Sequence, residues 1–265
     1  MIKRKLSRAP HALIAVAAAT VILLGVLIML LRMPDRERPS GYTGYHFAKF
    51  ETDAGDRIHI MSTSPDNVAL STINGNIADT SYFGINGGFF YEGALLSIAV
   101  QNDQPVNTAG GYGSGDENAK YARGTLVWDR AAGQFTVQVV RRSSELKVTD
   151  RKSYWAQGGI SLLLGEADLW REQAGLERMP YPDDKRLRTA AVYDNRHQLY
   201  LVVSENMVTA AEFRQAIADY DRLDRSSDYI GGIFLDGDGS SQMRCAESVL
   251  PGDRRPVVQM IRLLQ

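Results

Sequence analysis

The chain has 265 residues, with 30 Lys+Arg against 31 Asp+Glu and one cysteine. Residues 1–40 hold seven of the basic residues and two of the acidic ones, so the remainder carries 23 basic and 29 acidic side chains, a balance of −6. That balance, with no basic run interleaved with aromatics, argues against nucleic acid as a partner, and a lone thiol, Cys245, excludes an internal disulfide framework.

The first element is apolar. From Ala12 to Leu31 twenty residues carry no charge. At a rise of about 1.5 Å per residue they span roughly 30 Å, the hydrocarbon thickness of a bilayer. No polar stripe interrupts them, as it would in a soluble core helix. The run exceeds the apolar region of a cleaved signal peptide, so it reads as an uncleaved signal-anchor. Lys3, Arg4, Lys5 and Arg8 precede it, against Arg32, Arg36 and Arg38 beyond it. By the positive-inside rule residues 1–11 form a cytoplasmic tail and the C-terminal part faces outward. Residues 32–40, with Pro34 and Pro39, read as a linker, and 41–265 as one domain.

Strand patterns dominate that domain. Tyr45–Glu51 and Arg57–Ser62 flank the turn Asp53–Asp56. Further strands are expected over Leu95–Gln101, Thr125–Trp128, Phe135–Val140, Thr189–Tyr193, Leu199–Val203, Tyr229–Leu235 and Val257–Leu263. The stretch Asn107–Ala119, rich in Gly and polar residues, reads as a mobile surface loop or lid. Thr209 and Glu212 form a capping box ahead of an apolar face at Phe213, Ala216, Ile217 and Tyr220, predicting a helix. A weaker helix is expected over Ala167–Gly175. Neighbouring strands that pair in sequence predict an α+β domain with mostly antiparallel sheet and a few packing helices.

Several catalytic signatures are absent: there is no HExxH, no cysteine pair and no GxSxG elbow. His46, His59 and His197 sit apart and read as surface or core residues. Four segments remain. Asn86-Gly87-Gly88-Phe89-Phe90 ends a strand with two glycines, which allow close backbone approach, beside an amide that both donates and accepts. Leu235-Asp236-Gly237-Asp238-Gly239-Ser240-Ser241 delivers a carboxylate from an apolar run into a polar loop. Asp236, Asp238 and Glu247 partly match a calcium-loop spacing, but Ser240 and Ser241 depart from it. Arg188 opens an apolar strand, where a buried guanidinium calls for an anion. Glu205 closes another apolar strand.

Together with Gly158-Gly159-Ile160-Ser161-Leu162, Arg188-Thr189-Ala190 and Thr209–Phe213, these blocks resemble the phosphodiester glycosidase family, in the family's order across roughly residues 80–262. Its animal member removes N-acetylglucosamine from a mannose phosphodiester, and its bacterial members are associated with exopolysaccharide metabolism. Two positions depart: Asp238 replaces the middle glycine of the family's Asp-Gly-Gly-Gly-Ser loop, and Ala191-Val192 replaces an aliphatic residue followed by Gly.

The resemblance implies a hydrolase cleaving a sugar C1–phosphate bond. In that reading Asp236 is the main catalytic carboxylate and Glu205 the second acid. Arg188 binds phosphate, and Asn86, Ser240 and Ser241 contact substrate. Gly87, Gly88, Gly237 and Gly239 line the pocket. No cofactor is required, although Asp238 could hold a divalent cation. The expected partners are a sugar phosphodiester or glycopolymer and, through residues 12–31, the bilayer. Two other classes stay open: a non-catalytic envelope module that binds anionic glycopolymer, and a metal-dependent phosphodiesterase.

Overall fold

The computed structural model describes residues 44–107, 112–166, 169–223 and 228–264. The expected tail, membrane span and linker lie outside them. Among the described residues no helix is long and apolar enough to cross a membrane.

In chain order the strands are β1 (Tyr45–Glu51), β2 (Arg57–Thr63), β3 (Val68–Gly75), β4 (Gly84–Asn86), β5 (Phe90–Tyr91), β6 (Ala94–Leu95), β7 (Ala99–Gln101), β8 (Gln104–Pro105), β9 (Arg123–Asp129), β10 (Gln134–Val140), β11 (Tyr154–Gly158), β12 (Ile160–Ser161), β13 (Thr189–Asp194), β14 (Leu199–Ser204), β15 (Tyr229–Phe234), β16 (Met243–Arg244), β17 (Val249–Leu250) and β18 (Val257–Leu263). Among the described residues two α-helices join them, α1 (Trp170–Leu176) and α2 (Ala210–Leu223). Sheet one runs β1-β2-β14-β13-β15-β12, sheet two β10-β9-β11-β7-β8 and sheet three β17-β16-β4-β18-β3; β5 and β6 form a separate hairpin. Every pairing among them is antiparallel.

The centre of sheet one is buried on both faces, and its period of two sorts side chains into two cores. Ile58, Ile60, Tyr200, Val202, Ala190 and Val192 pack with Phe213, Ala216, Ile217 and Tyr220 of α2. From the other face Met61, Leu201, Val203 and Ala191 pack with Leu126 and Trp155 of sheet two and Ile85 and Ile261 of sheet three. Consequently β13 and β14 are buried along their whole length. Helix α2 starts where the capping box places it: the Thr209 amide donates to Glu212 Oε2 at 2.8 Å, and the Glu212 amide donates to Thr209 Oγ1 at 3.1 Å.

Three expectations change. The segment expected as a lid is part of the core at its C-terminal end: Ser114, Asn118 and Ala119 are buried. Asn118 accepts from the Ile98 amide at 3.1 Å and donates to the Val140 carbonyl at 2.8 Å. Residues 108–111 lie outside the described set. The strand expected over Leu95–Gln101 is interrupted: Leu95 ends β6, and β7 covers Ala99–Gln101. The weak helix covers Trp170–Leu176, slightly later than expected, and residues 167–168 lie outside the described set. Strands β3 and β11 carry no pattern that set them apart in the sequence.

Replacing Asn118 by Ala leaves a buried amide and a buried carbonyl unpaired. We expect a loss of about 3 kcal/mol in urea unfolding, against about 1 kcal/mol for the exposed-end cap change Thr209→Ala.

Candidate active site

Antiparallel pairing of β13 with β15 sets Ala190 opposite Phe234. The start of β13 and the end of β15 therefore emerge at one edge of sheet one. There the Leu235 amide donates to the Thr189 carbonyl at 2.8 Å, and the Asp238 amide to the Leu187 carbonyl at 2.9 Å. Between them Arg188 and Asp236 face a common cavity of about 170 Å³, lined also by Phe89, Tyr181, Arg186 and Asp238.

Arg188 is 5 % exposed. Its Nε donates to the Val208 carbonyl at 3.2 Å, and Nη2 donates to the Tyr181 and Asp184 carbonyls at 2.7 and 2.8 Å. Among the described residues Nη1 has no partner. Burial lowers the Arg188 pKa, with the nearby Asp238 carboxylate working in the opposite direction. A guanidinium remains charged under such a shift. Arg188 thus organises the Tyr181–Asp184 wall while one amino group stays uncommitted.

Asp236 is surrounded by protein but keeps some surface on the cavity. Loss of hydration raises its pKa from 3.8 to about 6, against the opposing effects of hydrogen bonds from Ser240 and the Gly237 amide and of the Arg255 charge. Across the cavity Arg186 is held three ways. Its Nη1 donates to Asp238 Oδ2 at 2.6 Å, its Nη2 donates to Asp184 Oδ2 at 3.0 Å, and its guanidinium carbon lies 3.9 Å from the Tyr181 ring centroid. The carboxylate bonds from Asp184 and Asp238 raise its pKa. Asp238 adopts φ +54°, in the left-handed region that favours glycine.

The other predicted site residues lie behind this surface or apart from it. Asn86 is 1 % exposed and its carboxamide is spent on scaffold. Oδ1 accepts from the Thr189 hydroxyl at 2.9 Å and the Gln242 amide at 3.0 Å, and Nδ2 donates to the Asp236 carbonyl at 2.8 Å. It positions the Asp236 backbone instead of meeting a ligand. Gly87 and Gly88 are packing sites: a Cβ would overlap the Gln259 amide at the first and the Ser97 side chain at the second. Gly239 is pressed against the Asp253 carboxylate, and Gly237 alone of the four glycines lines the cavity. Ser240 and Ser241 are buried; Ser240 hydrogen-bonds Asp236, whereas among the described residues the Ser241 hydroxyl has no partner.

Glu205 does not line this cavity. It accepts from Arg57 Nε at 3.2 Å, and its Oε2 lies 2.8 Å from His59 Nε2. The His59 and Arg57 contacts lower its pKa. His59, 2 % exposed and set edge-on to Phe47, has its Nδ1 2.8 Å from Ser248 Oγ. The imidazole therefore ties β16–β17 to sheet one. Among the described residues no three His, Cys, Asp or Glu side chains converge to hold a metal ion. Asp238, the expected cation ligand, has its carboxylate on Arg186.

Sequence reasoning missed Arg186, Tyr181 and Phe89. The first was within reach, because Arg186 and Arg188 are two apart in extended chain and emerge on one side. Tyr181 and Phe89 come from a loop and a turn whose approach to Asp236 is set by tertiary packing.

No protein-family model and no curated protein matches the chain. Among solved structures it is similar to the zebrafish N-acetylglucosamine-1-phosphodiester alpha-N-acetylglucosaminidase catalytic domain auto-inhibited by its pro-peptide, at 14 % identity and a TM-score of 0.62, over 86 % of each chain. A hypothetical protein from Synechocystis is similar at 11 % identity and a TM-score of 0.54, over 83 % of this chain and 62 % of the other. At these identities the likeness is one of fold alone.

The Asp236 pKa gives a signed test. Its native value lies above the unfolded one, so the native state binds the proton more tightly. The stabilisation is complete below about pH 4 and is lost as pH rises through about 6. Asn reproduces the neutral acid. Asp236→Asn should match the parent in urea unfolding below about pH 4 and exceed it by about 3 kcal/mol at pH 8.

Proposed function

We propose that this chain is a membrane-anchored, extracytoplasmic hydrolase that cleaves the bond between a sugar C1 and a phosphodiester, acting on envelope or exopolysaccharide material. The observation that carries the reading is one cavity holding a carboxyl with a pKa near 6 beside two guanidinium groups. The fold likeness to a phosphodiester glycosidase domain supports it, as do the motif blocks at Asn86, Arg188 and Asp236. The uncharged run Ala12–Leu31 supports the anchor.

In such a substrate the phosphate is already a good leaving group. It needs charge stabilisation more than a proton. Arg188, through Nη1, and Arg186 supply that charge at the departing phosphate. Asp236, ionised above about pH 6, acts at the anomeric carbon, either directly as nucleophile or by taking a proton from water. Asp238 is the other carboxylate of the cavity, and its bond to Arg186 keeps that guanidinium fixed. Glu205, bound to Arg57 and His59, has no part in the step.

The test uses residues 41–265 with a sugar-1-phosphodiester in water enriched in oxygen-18. Label in the released sugar supports C–O cleavage; label in phosphate supports the phosphodiesterase instead. We expect kcat/KM to rise as pH passes about 6, following ionisation of Asp236. Asp236→Asn should remove turnover by at least about 10³-fold, the scale of a lost catalytic group, while the protein remains folded. Full activity in that variant would exclude the mechanism.

A further inference from the structure

Phe89 forms one wall of the cavity and, on its ring, carries a second group of residues. The Arg123 guanidinium carbon lies 4.8 Å from the Phe89 centroid and 5.8 Å from that of Tyr121, and the Arg178 guanidinium lies 5.9 Å from Tyr121. Tyr121 is 41 % exposed, and Arg178 and the preceding basic residue Lys120 are exposed as well. Among the described residues neither Arg123 nor Arg178 pairs with a carboxylate. Arg123 Nε donates instead to the Glu177 carbonyl at 3.1 Å. The Glu177 carboxylate offsets part of the Arg123 charge, but its oxygens accept from the Gly124 and Ser161 amides and from Gln173.

Cations without a carboxylate partner are unexpected in a domain whose balance is −6. Their backbone is also held against its preference: Lys120 has φ +68° and Arg178 φ +57°. Non-glycine residues are strained at such angles, and strain of this kind persists at ligand sites. Tyr181 at the cavity, with φ +49° and 59 % exposure, repeats the pattern of an exposed tyrosine with a guanidinium over its ring.

We propose that Tyr121, Arg123 and Arg178 form a subsite for the next unit of a phosphate-bearing glycan chain, so that the substrate is a polyanionic polymer extending beyond the bond held in the cavity. The proposal rests on the hydrolytic reading of that cavity. An exposed tyrosine face suits the apolar side of a sugar ring, and two guanidinium groups beside it suit phosphate oxygens. Phe89, shared by cavity and patch, sets the path between them.

The experiment measures binding of dextran phosphate, carboxymethyl dextran and neutral dextran to residues 41–265 by calorimetry, at 20 and 200 mM salt. Dextran phosphate should bind at least 10-fold tighter than neutral dextran and weaken with salt. Tyr121→Ala and Arg178→Glu should each reduce that affinity about 10-fold, and Tyr121→Phe, which keeps the ring, less than 2-fold. Lys152→Ala lies beyond the Asp129 end of β9, opposite Arg123, and serves as the control with unchanged affinity. Arg178→Glu, on an exposed side chain, provides the test even where Tyr121→Ala fails to fold. Unchanged dextran phosphate affinity in folded Arg178→Glu overturns the subsite, as does equal binding of neutral dextran. Tighter binding of carboxymethyl dextran than of dextran phosphate overturns the assignment to phosphate. Binding through Tyr121 with no cleavage of any sugar phosphodiester leaves the subsite standing and removes the hydrolytic reading. Cleavage of short phosphodiesters with no Arg178→Glu effect on polymer binding removes the subsite alone.

Discussion

The carboxamide of Asn86 is the constraint on which the cavity depends. It stands at the end of β4 in sheet three, yet it bonds the Thr189 hydroxyl at the start of β13 and the Asp236 carbonyl just past β15, both of sheet one. Its third partner, the Gln242 amide, belongs to the chain that leads into β16. One buried side chain thus closes two sheets onto each other at the edge where Arg188 and Asp236 emerge. All four of its hydrogen-bonding positions are filled, the last by the Gly87 carbonyl, so a change there unpairs donors and acceptors that cannot turn to solvent. The adjacent glycines serve the same closure. They let the β4 end lie flat against Gln259 and Ser97, and the Asp236 amide reaches the Gly87 carbonyl at 3.2 Å.

With the backbone fixed in that way, the side chain of Asp236 has no freedom to escape to water. Its raised pKa is the cost of holding a carboxyl among protein atoms, only partly offset by Ser240, the Gly237 amide and Arg255. Arg188 shows the same logic with opposite charge. Three backbone carbonyls, from Tyr181, Asp184 and Val208, take most of its donors, so a buried cation is solvated by the wall it builds. In the proposed function these two features would meet the phosphate without reorganising, which is what electrostatic preorganisation requires.

Much of the fold was legible because it rests on short-range pattern. The period of two in Arg57–Thr63, Thr189–Asp194 and Leu199–Ser204 sorts side chains between two cores, and the Thr209–Glu212 box fixes where α2 begins. Strand β3 was not legible, because Ser71, Thr72 and Asn74 blur its outer face, and Asn118 was masked by its setting in a Gly-rich polar stretch that reads as loop. Within the site, Arg188, Asp236 and Gly237 stood out as charges or glycines at strand ends. What the motif could not convey is depth. Asn86, Ser240 and Ser241 carry groups suited to a ligand, yet their burial turns them into supports for Asp236. Glu205, at the end of the strand beside β13, is drawn to His59 and Arg57 by contacts from β2, far away in sequence.

Asp238 illustrates how a departure from a motif is absorbed by its surroundings. At φ +54° a glycine is relaxed and an aspartate is not. The strain is retained because the carboxylate reaches Arg186 at 2.6 Å across the cavity, where Asp184 and the Tyr181 ring hold the same guanidinium from other sides. A glycine would leave Arg186 tethered by Asp184 and Tyr181 alone. The aspartate therefore converts a mobile surface cation into a fixed one, and it sets a negative charge where an anionic ligand must compete with it. A site built on that compromise favours ligands with enough additional contact to outweigh Asp238, and the cavity's flanks, Phe89 with Arg123 on one side and Tyr181 with Arg186 on the other, are where such contact is available.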